Sequence, residues 1–143
     1  MVGTGRPNRL RVLLANEQEG WHQTVRGLLQ PQGVETLSAR SGRDALHLLE
    51  TTPIHLAVLD VHMPGLGGLQ VVRLIREQRR TAAEPAPPAI LLADDLSQQV
   101  MREALGMSVF SVLSKPVDFN ALLDAMARIV RRHYANKWPV ASG

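Results

Sequence analysis

Short apolar runs alternate along this chain with amphipathic helical repeats, five of each, and few folds accommodate that alternation. Leu10 to Ala15, Val34 to Ala39, Ile54 to Val61, Ala89 to Ala93 and Val109 to Leu113 read as strands, each too short for a helix and bounded by polar or turn residues. Ile54 to Val61 is broken only by His55 and Asp60, which suits a strand buried on both faces. Trp21, Val25, Leu28 and Leu29 share a helical face that should end near Gly33. Ser41 with Asp44 opens a second helix, with Ala45, Leu46, Leu48 and Leu49 inside and Pro53 as its stop. Leu69, Val72 and Ile75 line a third, whose outer face carries Arg73, Arg76, Arg79 and Arg80 and reads as solvated. A proline-rich loop over 81–88 follows. A weaker helix over 96–105 uses Val100, Ala104 and Leu105, and Asp118 caps a last one with Leu122, Leu123, Met126, Ile129 and Val130 on one side. This order predicts an α/β fold, a mostly parallel doubly wound sheet of five strands with five helices on its two faces. Ligands of such sheets bind beyond the carboxyl ends of the strands, so the chemistry is sought there.

A length of 143 residues points to one domain, and the absence of cysteine removes disulfides and thiolate metal sites. No apolar run approaches the roughly 20 residues of a membrane span, and residues 1–7 carry no signal-peptide core. A soluble, cytoplasmic protein is the expectation. The net charge of +3 is unevenly placed. Residues 1–11 hold three arginines and residues 128–143 hold three arginines and a lysine, neither with an acid, whereas the stretch between holds 9 bases and 13 acids. Such ends read first as solubilising. Tyr134 and Trp138 would be the stacking pair if the tail met nucleic acid, but the tail reads more simply as a fraying helix end or a cut linker, and no nucleic-acid partner is expected.

The strand ends carry the charged residues. The first strand runs into Asn16-Glu17, the third ends near Asp60, the fourth in Ala93-Asp94-Asp95 and the fifth in Ser114-Lys115-Pro116. Carboxylates and an ammonium gathered at one sheet edge are costly to bury without a purpose. Phosphoryl transfer is a chemistry that uses them: a carboxylate as nucleophile, a second to hold Mg²⁺, a lysine as counter-charge for phosphoryl oxygens. Asp60, ending the most apolar strand, is the candidate nucleophile.

The segment from Leu56 through Asp60, Met63, Pro64 and Gly65 to Leu69 resembles the phosphoacceptor region of bacterial response-regulator receiver domains. Ser114-Lys115-Pro116 with Val117-Asp118 is similar to that family's lysine-proline turn, and Ser41 to Leu46 to the start of its second helix. The resemblance implies the flavodoxin-like strand order 2-1-3-4-5, a receiver domain over 9–133 and a tail or linker over 134–143. It implies that Asp60 accepts a phosphoryl group from a sensor histidine kinase or phosphotransfer protein, that Lys115 pairs with that group, and that Mg²⁺ is held by Glu17, Asp60 and the backbone carbonyl of His62, with Asn16 a weak contributor. It implies a cis peptide before Pro116. Output would pass to a downstream protein partner through the fourth helix, fifth strand and fifth helix, a face that could also carry a homodimer. This is a signalling module rather than an enzyme, with no membrane partner.

Four positions depart from the family pattern. Asn16 stands where the family has an acid, Ala93 where it has a switch hydroxyl, and Val112 where it has a switch aromatic. Asp94 takes a position that is small in the family; pointing inward it would repel a phosphoryl group, or with Mg²⁺ replace the charge missing at Asn16. Phe110, two residues before Val112, is placed on the same face by strand alternation and assigned to the core. These departures motivate an alternative, a pseudo-receiver that acts as a phosphorylation-independent interaction module. A flavodoxin-like enzyme or nucleotide binder is a third class; Gly65, Gly67 and Gly68 are in the wrong order for a dinucleotide fingerprint. His22, His47, His55, His62 and His133 form no convincing metal pair, and His62 is read as an exposed loop side chain.

Overall fold

The structure, a computed structural model, describes residues 9–94, 98–107 and 109–134. Five strands, β1 (Arg11–Ala15), β2 (Glu35–Ala39), β3 (Leu56–Asp60), β4 (Ala89–Ala93) and β5 (Ser111–Ser114), alternate with α1 (Glu19–Leu29), α2 (Gly42–Thr51), α3 (Gly68–Gln78), α4 (Gln98–Gly106) and α5 (Phe119–His133). All neighbouring strands pair in parallel, in the order β2-β1-β3-β4-β5. This is the arrangement the sequence predicts. The basic stretch at residues 1–11, the start of the weak fourth helix pattern at 96–97 and the Trp138 tail lie partly or wholly outside the described residues.

Strand side chains alternate between two cores because successive Cβ atoms point to opposite faces. Val12, Leu14, Leu56, Val58, Ile90 and Leu92 pack with α1 and α5. Leu13, Ala15, Ala57, Leu59, Ala89 and Leu91 pack with α2, α3 and α4. Both faces are covered, which is why β3 and β4 are buried at every position. The caps follow the sequence: Ser41 Oγ accepts from the Asp44 N–H, and Asp118 Oδ1 accepts from the Asn120 and Ala121 N–H groups.

Several placements correct the sequence reading. Leu28 and Leu105 are exposed, at 37% and 71%, rather than inside. On α1 the buried face is His22, Val25 and Leu29, so the stripe is rotated toward an imidazole. On α3 the buried face includes Val71, with Leu69 only partly buried. Arg79 is not simply solvated: its guanidinium donates to the carbonyls of Leu49 and Pro85. Phe110 and Val112 do not share a face. Phe110 packs in the α1/α5 core and Val112 in the opposite one, because Phe110 precedes β5 and the two-residue period does not reach it. Tyr134 is anchored rather than frayed. Its ring packs edge-on against His55, and its hydroxyl donates to the His55 carbonyl at 2.5 Å.

Candidate functional site

Alternation and register assemble the site. The last paired residues are Ala15 with Leu59, Asp60 with Leu92, and Ala93 with Ser114. Continuing each strand by a residue or two, Asn16, Asp60, Asp94 and Lys115 fall at one edge with the parity of the α1/α5 face. Glu17 has the opposite parity.

Asp60 is 2% exposed. Its Oδ1 accepts from the His62 N–H at 2.9 Å, and its Oδ2 lies 2.5 Å from Lys115 Nζ. The Lys115 side chain is 24% exposed, so the ammonium reaches Asp60 from the solvent margin. Its backbone N–H donates to the Ala93 carbonyl, which ties the turn after β5 to the end of β4, and the Lys115–Pro116 peptide is cis as the resemblance implies. Asp94 Oδ2 stands 3.8 Å from the same Nζ with most of its side chain in solvent. Asp94 thus borders the ammonium without being drawn into the interior. Close packing holds Asp60 from behind: a Cβ on Gly68, at the start of α3, would come within 2.6 Å of the Asp60 carbonyl oxygen.

Glu17 is exposed, and with His62, Gln70, Arg73 and Glu103 it lines a cavity of about 590 Å³ beside the loop that follows β3. Of the cavity's lining residues, His62 is the one whose backbone N–H bonds Asp60, and the His62 imidazole is exposed as expected. A larger cavity, about 1120 Å³, opens around His55, Pro85 and Tyr134, at the amino-terminal ends of the strands and remote from the carboxylates. Its size has no bearing on this chemistry, which the charged edge decides.

Sequence reasoning missed a buried network beneath the β1–α1 turn. His22 is fully buried. Its Nε2 lies 2.6 Å from the Asn16 carbonyl and must donate there, since a carbonyl only accepts. Its Nδ1, 3.0 Å from Ser38 Oγ, therefore accepts from that hydroxyl, while Ser38 Oγ also accepts from Arg26. The Asn16 N–H donates to Ala39, and Asn16 Oδ1 accepts from the Gln18 N–H at 2.9 Å. Asn16 is thus a buried turn-former with its side-chain oxygen already engaged. Reading His22 as an apolar-face residue at the spacing of Val25 and Leu29 would have found it.

Burial lowers the pKa of His22, partly offset by its bond to Asn16. Burial, then the charge of Arg11, lowers that of His55, whose Nδ1 accepts the Arg11 N–H. The fold thus disfavours the charged form of both imidazoles, whereas in the unfolded chain they take up protons near pH 6.5. Their contribution to stability is present above that value and lost as pH falls toward the depressed folded values. The unfolding free energy is expected to decline on acidification below about pH 6.5, with a shallower decline in His55→Gln. An equal slope in wild type and variant would contradict the assignment.

As metal donors the edge offers the carboxylates of Asp60 and Glu17 and the carbonyl of His62. Among the described residues no three His, Cys, Asp or Glu side chains cluster as a metal site. An ion here would rest on two carboxylates, one carbonyl and waters. That all-oxygen set fits Mg²⁺, which keeps several waters, though the neutral Asn16 leaves it one charge poorer than an acid would.

The chain matches the family model of the response regulator receiver domain over residues 12–127. Among curated proteins it is 31% identical over 119 residues to the CAI-1 autoinducer sensor kinase/phosphatase CqsS of Vibrio cholerae, spanning 82% of this chain and 17% of that one. It is 32% identical over 124 residues to the response regulator MprA of Mycolicibacterium vanbaalenii, spanning 86% of this chain and 51% of that one. The chain therefore covers only part of the length of these relatives. Among solved structures it superposes on the receiver domain of the Francisella response regulator 1452 with a TM-score of 0.77 at 25% identity, covering 87% of this chain and 98% of the other. A signal receiver domain from Pseudomonas fluorescens gives 0.78 at 26% identity, covering 89% and 98%. No helix among the described residues is long and apolar enough to cross a membrane.

Proposed function

The chain belongs to the response regulator receiver domain family, a signalling module of two-component phosphorelays, and from that premise we propose that it accepts a phosphoryl group on Asp60. The observation that carries the proposal is the 2.5 Å contact between Asp60 Oδ2 and Lys115 Nζ at the carboxyl edge of the sheet. One carboxylate oxygen is oriented by the His62 N–H and the other by Lys115, so the nucleophile is positioned before a donor arrives. The phosphoryl group of a kinase or phosphotransfer histidine is attacked by an Asp60 oxygen. The O–P bond forms, the P–N bond breaks, and its electron pair returns to the leaving imidazole, which takes a proton from solvent. Lys115 then turns to the new phosphoryl oxygens, a compact charge on a flexible stem. Asp60, Glu17 and the His62 carbonyl would hold Mg²⁺, which when bound neutralises charge on those oxygens. Attack of water on phosphorus returns the carboxylate and releases inorganic phosphate.

The coupling of this step to a partner differs from the family pattern. Ala93 is 1% exposed and offers a methyl where a hydroxyl would hold the phosphoryl group, and Val112 packs in the α2–α4 core where an aromatic would turn. These two positions favour a second reading, a pseudo-receiver whose partner surface is phosphorylation-independent. In either reading a downstream protein binds the α4–β5–α5 face. The discriminating experiment is intact-mass analysis after incubation with acetyl phosphate. The expected result is a gain of one phosphoryl group that requires Mg²⁺ and vanishes in Asp60→Asn. A wild-type protein that gains no mass with Mg²⁺ and either acetyl phosphate or phosphoramidate would establish the pseudo-receiver.

A further inference from the structure

We propose that Asp94 is a specificity-determining residue for the phosphoryl donor, disfavouring small, free, doubly charged donors. The inference rests on Asp60 being the acceptor. Register places Asp94 beside Lys115: Ala93 and Ser114 are the last pair of β4 and β5, and the Lys115 N–H donates to the Ala93 carbonyl at 2.9 Å. One ammonium therefore faces two carboxylates, Asp60 at 2.5 Å and Asp94 at 3.8 Å. Glu17, exposed at the same edge, is one of the carboxylates that Mg²⁺ would offset, which leaves Asp94 as the carboxylate without a metal partner. The nearby Arg73 is already paired with Glu103 at 3.2 Å, so it offers little compensation. With Mg²⁺ offsetting Asp60 and Glu17, a free dianion approaching Asp60 still passes the Asp94 carboxylate, with which the Lys115 ammonium is shared.

The Asp94 side chain is 64% exposed, so its repulsion acts through solvent, falls with salt and scales with the charge of the donor. A donor delivered on a protein surface can bring a cation against Asp94, which a free acyl phosphate cannot. The same position explains why the Asp94 carboxylate is compatible with the fold: it is hydrated rather than buried.

Two small donors of different charge separate this from a structural role. With acetyl phosphate, essentially a dianion at pH 8, the Asp60–P bond forms as the P–O bond to acetate breaks and acetate leaves with the pair. With phosphoramidate, closer to a monoanion, the P–N bond breaks and ammonia leaves. Initial rates of mass gain on the full chain are compared in wild type, Asp94→Asn and Asp94→Glu, with Mg²⁺ saturating, at low salt and at roughly 0.5 M salt. Asp94→Asn is expected to accelerate acetyl phosphate about three- to tenfold at low salt and phosphoramidate distinctly less, with the difference shrinking at high salt. Asp94→Glu, which keeps the charge, is expected to behave like wild type. Asp94→Asn rates that are unchanged, slower, or raised equally for both donors independent of salt would overturn the proposal while leaving Asp60 as acceptor. No mass gain in any protein with either donor would overturn both.

Discussion

Lys115→Ala is expected to take up phosphoryl groups about 10- to 100-fold more slowly than wild type, the equivalent of losing one charge-assisted contact of about 1.5–3 kcal/mol. The lysine touches Asp60 directly and, in the proposed function, would be the counter-charge that approaches the phosphoryl oxygens as charge moves onto them. The loss should fall on the rate of transfer at saturating Mg²⁺ rather than on folding. Removing one partner of a fully buried ion pair can cost about 3–5 kcal/mol, but Lys115 is a quarter exposed, and water can reach the place it vacates. A stability cost nearer 1 kcal/mol is therefore expected, read as a small shift in the urea midpoint. Lys115→Arg is expected to restore charge without restoring the rate, because a planar fork does not fit where a compact ammonium sits. A Lys115→Ala protein that is phosphorylated at the wild-type rate would remove the lysine from the chemistry.

The largest structural effect is expected from one methyl group. A Cβ on Gly42 would lie 2.0 Å from the Leu66 carbonyl oxygen and 2.5 Å from Leu66 Cβ, so Gly42→Ala must push the start of α2 away from the loop between β3 and α3. That is a clash with backbone, and overpacking of this kind costs about 1–3 kcal/mol or more. It outweighs the gain of up to about 1 kcal/mol that alanine brings to a helix. The control is Gly27→Ala in α1, where a Cβ would meet nothing within 4 Å and the helix-forming gain should appear alone. Opposite shifts of the two urea midpoints are expected. Stabilisation by both substitutions would mean that α2 and the β3–α3 loop are less closely packed than described. Because that loop leads from Asp60 to Gly68, phosphorylation of Gly42→Ala should also slow.

The fold was legible because the signals that set it are local and repeated. Each β-strand is a short apolar run, each helix has a cap or a breaker, and a parallel sheet needs cover on both faces; the order of the strands came from the family resemblance, not from these signals. That Asp60 and Lys115 would meet was legible for the same reason: one ends β3 and the other follows β5 by one residue, at the same edge of the sheet. What was not legible depends on residues leaving that regularity. Phe110 was misplaced because it stands just outside β5, and the alternation that orients Val112 does not govern it. The α1 stripe was misread because His22 was counted as polar, although its two ring nitrogens are satisfied internally and it packs like an apolar residue. Tyr134 was assigned to a tail because a helix end with basic neighbours carries no local mark of the carbonyl its hydroxyl will find. Asp94 could be read as aimed inward or outward, and only the sheet edge places it beside Lys115 with its side chain in water.

The claim on which the account depends is that the carboxylate at the end of β3 is the atom group that takes the phosphate. The most direct measurement is to treat the protein with acetyl phosphate and Mg²⁺, reduce the acyl phosphate with borohydride, and map the modified aspartate by peptide mass spectrometry. The account expects reduction of Asp60 alone. Modification of another residue, or an Asp60 peptide left intact while the protein has gained a phosphoryl group, would contradict it.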